Sequence, residues 1–202
     1  MHTLIWLRTD LRLHDNPALA AAAQAGTVTA LFIAAPGQWR RHGEAPAKVD
    51  FWLRNLRELS QDLGRLGIPL KLLTLDTWDQ APDALVGFCR EHDIAQVHAN
   101  TEWAVNERRR DDAVAQRLAE ADIDWTLHHG ASLLRPGTVL TGKGDCYRVY
   151  TPYARACRER LRSAPLRAVP APKPQTAPAW RADPLPDAFD GYAPASDAIR
   201  AL

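Results

Sequence analysis

The stretch "HANTEWAVNERRRDDAV", residues 98–114, places an amide (Asn106), a carboxylate (Glu107) and three guanidiniums (Arg108, Arg109, Arg110) at the start of a helical pattern. Two kinds of chemistry fit. An amide beside a carboxylate can hydrogen-bond a ligand at the helix mouth, because the carboxylate only accepts while the amide both donates and accepts. The same residues also read as a solvated helix end. Cations there sit at the wrong pole of the helix dipole, a loss of about 0.3–1 kcal/mol each. Pairs Arg108–Asp111, Arg108–Asp112 and Arg109–Asp112, at spacings of three and four, are expected to offset it.

A second dense set is "WLRTDLRLHDNPAL", residues 6–19, with Arg8, Asp10, Arg12 and Asp15 ahead of a helix capped by Asp15 or Asn16 and opened by Pro17. Arginine–carboxylate forks holding a strand end explain these charges better than ligand contact. Other chemistries lack a motif. There is no G-x-G-x-x-G, P-loop, H-E-x-x-H, G-x-S-x-G or clustered Cys/His set. The histidines are scattered, and His128 and His129 read as packing or turn residues.

The elements that must position these residues alternate. Residues 3–8, 27–33, 69–75, 95–99 and 123–128 read as strands, mostly as continuous apolar runs, the pattern of a parallel sheet covered on both faces. Residues 16–25, 46–67, 79–92 and 105–121 read as helices. The clearest is 46–67, where Val49, Trp52, Leu53, Leu56, Leu59, Leu63 and Leu66 share one face, with Pro46 in the first turn and Gly67 at the end. The fold class is therefore α/β: a doubly wound, Rossmann-like, five-stranded parallel sheet with helices on both faces. In such sheets ligands gather at the carboxyl ends of the strands, here "RTDLRLHDN", "AAPGQWRRHGEAP", "DTWDQ" and "NTEWAVNERRR".

Beyond residue 130 a strand or extended segment, a Gly-rich turn at 142–144 and a short basic helix from Thr151 are expected. Pro165, Pro170, Pro172, Pro174, Pro178, Pro184 and Pro186 then mark an extended linker, and "SDAIRAL" begins another helix. This predicts a domain over 1–164, a linker over 165–194 and the first turns of a further domain over 195–202.

The 202 residues suffice for one good core, and a net charge of +1 supplies no bulk attraction to nucleic acid or acidic membranes. Three cysteines in unrelated contexts give no disulfide or metal framework. The opening meets Arg8 and Asp10 too early for a signal peptide, and no apolar run reaches membrane-spanning length, so a cytoplasmic, monomeric protein without a metal is expected.

Three stretches resemble the amino-terminal domain of the DNA photolyase/cryptochrome family. "WLRTDLRLHDNPAL" looks like its W-x-R-x-D-L-R-x-x-D-N-x-A-L opening, "EWAVNERRRD" like its N-E-R helix start, and "YRVYTPYARAC" like its Y-x-V-[FY]-T-P-[FY] segment. They occur in family order and spacing, the resemblance covers essentially the whole chain, and it is closest to bacterial folate-type members that repair cyclobutane pyrimidine dimers.

The resemblance implies a light-harvesting domain. In the family a reduced flavin, FADH⁻, donates an electron to the dimer under blue light; it sits in a carboxyl-terminal helical FAD-binding domain that also grips DNA and receives the flipped-out dimer. That domain would begin near "SDAIRAL", so the family's catalytic residues have no positions here and the chain alone is expected to be inactive. The antenna is usually 5,10-methenyltetrahydrofolate, held between the two domains; a deazaflavin serves in related members. Family contacts match Asn106, Glu107 and His42, with the carboxylate accepting a pterin's amino group and ring N–H side by side. The arginines after Glu107 are then expected at a domain interface or in surface pairs. The family's electron-relay tryptophans belong to the other domain, so Trp6, Trp52 and Trp125 are expected in the core, and "YARACRERLR" is expected to pack against the helical domain. A cryptochrome photosensor domain and a stand-alone nucleotide-binding module are the alternatives.

Overall fold

The computed structural model describes residues 1–164 and 167–200. Pro165 and Leu166, where the expected linker begins, and Ala201 and Leu202, which end the expected final helix, lie outside the described residues. Five strands, β1 (His2–Leu7), β2 (Thr27–Ala34), β3 (Leu70–Thr74), β4 (Ile94–Asn100) and β5 (Asp124–His128), form one parallel sheet in the order β3-β2-β1-β4-β5. The central strands are the apolar runs "HTLIWL" and "TVTALFIA", buried along nearly their whole length; β5 at the edge is mostly exposed or half-buried. That gradient is what two covering layers of helix produce.

One layer is α1 (Pro17–Ala25) and α3 (Pro46–Arg65), whose Leu19, Leu53, Leu56 and Leu63 pack on Ile5, Val28 and Ala30. The other contains α4 (Ala81–Glu91) and α5 (Val105–Ala119), with Leu85, Phe88, Val114 and Leu118 against Leu4, Leu31 and Val97. Asn16, not Asp15, caps α1 by accepting from the Leu19 N–H at 3.1 Å. Burial pushes the Cys89 thiol in α4 up to about 12, so it stays neutral and unreactive at physiological pH.

Two elements depart from the sequence expectation. Residues 36–41, taken as loop, form α2 (Pro36–Arg41) directly after β2. Its position depends on Gly37: a Cβ there would stand 1.9 Å from Asp76 Oδ1 and 2.7 Å from the Asp76 carbonyl, whose oxygen accepts the Gln38 N–H at 2.8 Å. The strand or extended segment expected after residue 130 contains no strand; turns and bends lead to α6 (Tyr150–Ser163), which has no buried residue. A short α7 (Asp197–Arg200) follows the proline-rich stretch.

That stretch has no helix or strand between 167 and 194, as its prolines dictate, yet it is docked along the sheet. The Gln175 side chain donates to the Val28 and Gly67 carbonyls and accepts the Val28 N–H, completing β2 where β3 has not yet begun. Gly67 has φ +73° and would carry a Cβ 2.3 Å from the Gln175 carbonyl, so the helix end and the strap require each other. Asp183 then accepts the Leu72 N–H and donates its own to Leu70, covering the outer edge of β3. Phe189 and Tyr192 finish the core beside Trp39, with ring centres 5.3 and 5.9 Å away.

Candidate ligand-binding site

Strand order reverses between β1 and β4, which makes the gap beyond their carboxyl ends the usual ligand crevice. Here side chains fill it. Asn100 at the end of β4 donates to Asn16 Oδ1 at 2.7 Å and Asp10 Oδ2 at 2.5 Å, and its own Oδ1 accepts the Ala18 N–H at 3.2 Å. Asp10 also accepts the Arg8 backbone N–H at 2.9 Å, and Arg12 donates to the carbonyls of Asp15 and Gly130. The expected forks among Arg8, Asp10, Arg12 and Asp15 therefore do not form. Asp10 holds backbone and amide groups, because the Arg8 side chain turns inward.

It turns toward α5. Arg8 Nη1 donates to both oxygens of Asp111, at 2.8 and 2.9 Å, while Nη2 donates to the Asn100 carbonyl. Arg110 reaches the same Asp111 oxygen at 2.7 Å and Glu102 at 2.8 Å. Burial alone would raise the Glu102 carboxyl; the two guanidiniums, with hydrogen bonds from Arg110 and Thr9, outweigh it and hold the group below its usual range. Both guanidinium carbons lie within 5.0 Å of the Trp6 ring centre, and Arg110 lies 4.7 Å from that of Trp78. The pairs expected on α5 are thus corrected: among the described residues no ion pair joins Arg108 or Arg109 to Asp111 or Asp112. Asp111 points into the sheet, and Arg110 is buried rather than a surface residue.

Two adjoining concavities open above this cluster. The first, about 130 Å³, is walled by Trp6, Trp39, Trp52 and Trp78, with Glu44 and Glu107 among its charged lining. The second, about 410 Å³, lies between α2 and α5 and is lined by His42, Asn106, Arg41 and Arg109. Trp78 and Arg110 border both. The structure thus brings His42 and Asn106 together in one hollow and places Glu107 in its neighbour. Glu107, in the first turn of α5, is half-buried and has no hydrogen-bond or ion-pair partner among the described residues. Of the tryptophans expected in the core, Trp6 is fully buried yet forms the cavity floor, while Trp52 and Trp125 are half-buried.

Reasoning from sequence passed over the tryptophan walls. Part of the signal was available: Trp6 stands near the end of β1, and Trp39 and Trp78 follow β2 and β3 within a few residues; Trp52 joins them from α3. His98 and His128, across the β4–β5 edge, stack with Nδ1 and Nε2 2.9 Å apart. Burial, with the His128 charge as a second cause at His98, pushes both imidazoles below their ordinary 6.5. Neutral rings then favour the folded state, so stability is full above pH 6.5 and declines as pH falls below it, where the unfolded chain takes up the protons. Urea unfolding at pH 7.5 and 5.5 is expected to show this loss, and H98Q/H128Q to flatten it; an unchanged slope contradicts the assignment.

The sequence profile described as DNA photolyase matches residues 3–175. The chain belongs to the DNA photolyase family. It is 37% identical over 172 residues to the deoxyribodipyrimidine photo-lyase of Salmonella typhimurium, covering 84% of this chain and 36% of that enzyme. It is 30% identical over 155 residues to Cryptochrome-2 of Arabidopsis thaliana, covering 77% of this chain and 25% of that protein. A crystal structure of a class III photolyase from Agrobacterium tumefaciens superposes with a TM-score of 0.75 at 28% identity, over 91% of this chain and 37% of the other. The chain spans about a third of the length of the curated relatives it matches. The match corresponds to their amino-terminal α/β part, whose parallel sheet is the one seen here. Among the described residues no helix is long and apolar enough to cross a membrane.

Proposed function

We propose that this chain is the light-harvesting α/β domain of a deoxyribodipyrimidine photolyase and that it carries a folate antenna on the rim formed by α2 and α5. The observation behind this reading is Glu107, a half-buried carboxylate without a partner among the described residues, on a cavity walled by four tryptophans. Its lone pairs suit the adjacent N–H donors of a pterin, with the helix dipole favouring negative charge at that end. Tryptophan faces suit a planar ring bearing a delocalised positive charge, which a methenyl folate has; Glu44 on the same lining is already paired with Lys48 at 2.6 Å, so Glu107 is the carboxylate this reading uses. Asn106 and His42 border the adjoining hollow and close the far side of the site.

The packing favours folate over a three-ring deazaflavin sunk into the sheet. Ligand pockets commonly enclose about 300–1,000 Å³. The cavity over the strand ends offers about 130 Å³, because Arg8, Arg110, Trp6 and Trp39 occupy the rest. A chromophore therefore lies across the rim, where a second domain can complete the cleft. When bound, the folate supplies near-ultraviolet absorption, and FAD in the relatives' remaining two-thirds supplies the electron for repair. The residues of this chain bind and orient the antenna and exclude water from one face of it. The part of the relatives that this chain does not cover is read as the FAD-binding helical domain, with dimer-containing DNA as a partner through it; the reading keeps the protein monomeric and cytoplasmic.

Blue light on the full gene product with dimer-containing DNA is expected to restore pyrimidines. Retained flavin without repair contradicts the enzyme and favours the photosensor reading, for which the Cryptochrome-2 match is the supporting observation.

A further inference from the structure

Charge is unevenly spread along the chain. The net charge is +1, yet residues 143–173 carry six arginines and two lysines against two acids, Asp145 and Glu159, so the rest of the chain is net negative. Among the described residues none of these eight cations forms an ion pair. Four of the arginines lie on α6, which has no buried residue. Tyr150, Tyr153, Cys157 and Leu161 recur there at three and four residues as one stripe, and Arg155, Arg158 and Arg162 form a second, exposed stripe beside it. The helix dipole favours Arg160 and Arg162 in the last turn. It does not favour Arg155 in the second turn, nor Arg148 just before the first, where the charge adds to the positive pole. Arg155–Arg158 and Arg158–Arg162 are like-charge neighbours at three and four residues, each unfavourable to an isolated helix. Glu159 is in helical reach of Arg155 and Arg162 and pairs with neither among the described residues. Nothing within the domain answers this charge.

We infer that the arginine stripe of α6 is a docking surface for the phosphate backbone of DNA. The inference rests on the photolyase reading for its choice of polyanion, and it adds a contact from this domain where that reading reaches DNA only through the helical domain. A net charge of +1 gives no bulk attraction, so contact with nucleic acid has to come from a local patch. The patch is continuous: two hollows share Tyr147 and Pro152, with Lys143 and Arg148 lining one and Arg155 the other. Every basic position of α6 is arginine, whose planar fork holds phosphate oxygens in pairs. The stripe runs along about 10 Å of helix, enough for successive phosphates of one strand rather than a single anion. The packing expected for this segment then belongs to its other face, the tyrosine and leucine stripe.

The test is equilibrium binding of the full gene product to a labelled DNA duplex, undamaged or carrying one pyrimidine dimer, over a range of salt. R155Q/R158Q/R162Q is expected to flatten the slope of log K against log salt by about 2–3 on both duplexes, and to weaken both about tenfold at low salt. Its flavin content and urea midpoint are expected to match the parent. R155K/R158K/R162K, which keeps the charge, is expected to keep most of the slope. Parental slope and affinity in the glutamine variant overturn the contact and leave the stripe to an acidic protein partner. An equal loss in the lysine variant overturns it too, because charge is then not what matters. Lost flavin or a lowered urea midpoint in the glutamine variant assigns the stripe to packing within the full protein and overturns the contact. A slope flattened on both duplexes, in a protein with no preference for the dimer, supports the contact and contradicts the photolyase reading.

Discussion

Replacing Asp111 with alanine is expected to destabilise the protein by about 3–5 kcal/mol, the cost of leaving buried charge without its partner. Asp111 accepts from both Arg8 and Arg110, whose side chains are only 5% and 4% exposed. Without it, two guanidiniums share Glu102 alone, which already lies 3.6 Å from one and 2.8 Å from the other. Neither can swing into water, because Trp6 and Trp78 hold them at the top of the sheet. For a chain of this size the loss corresponds to roughly 6–20 °C in Tm. R109A, one residue from the cluster on the exposed side, is expected to stay within about 0.5 kcal/mol of the parent. Urea unfolding of the two variants checks both. A loss below about 1 kcal/mol for D111A shows that the cluster does not organise the mouth of the sheet.

Glu107→Ala is expected to remove the antenna while leaving the fold intact. Two charged hydrogen bonds of about 1.5–3 kcal/mol each would be lost, a fall in folate affinity of a hundredfold or more. Glu107 has no hydrogen-bond or ion-pair partner among the described residues, so its removal strands none of them. The full gene product carrying E107A should therefore lose folate absorbance, unfold at the parent's urea midpoint and retain repair under direct flavin excitation. Parental folate affinity in E107A contradicts the assignment of this carboxylate.

The architecture was legible because the central strands are apolar on both faces and the helices on one, a contrast that hydrophobic period alone reveals. Gly67 announced its helix end by residue type, while residue type left the cap of α1 between Asp15 and Asn16 and the structure assigns it to Asn16. What stayed hidden depended on which distant partner a charge would choose. Asp111 has Arg108 within easy reach along the helix, yet it bonds Arg8, 103 residues away, because it faces the sheet. Periodicity assigns a face and leaves the partner open. In the same way α2 is too short to show a period, and it exists because Gly37 lets the chain lie against Asp76. The strap's prolines forecast extended chain, but not that the amide of Gln175 would finish β2. At the candidate site, Asn106, Glu107 and His42 came from motif resemblance; the tryptophan walls come from β1, α2, α3 and the turn after β3, and only the fold brings them together.

A crystal structure of the full gene product with methenyl folate tests the central claim most directly. The ring is predicted to lie on the rim between α2 and α5, with the Glu107 carboxylate against its paired N–H donors and the Trp6–Arg110 packing undisturbed beneath. A chromophore seated instead in the sheet crevice, with Arg110 displaced and Glu107 facing water, would contradict it.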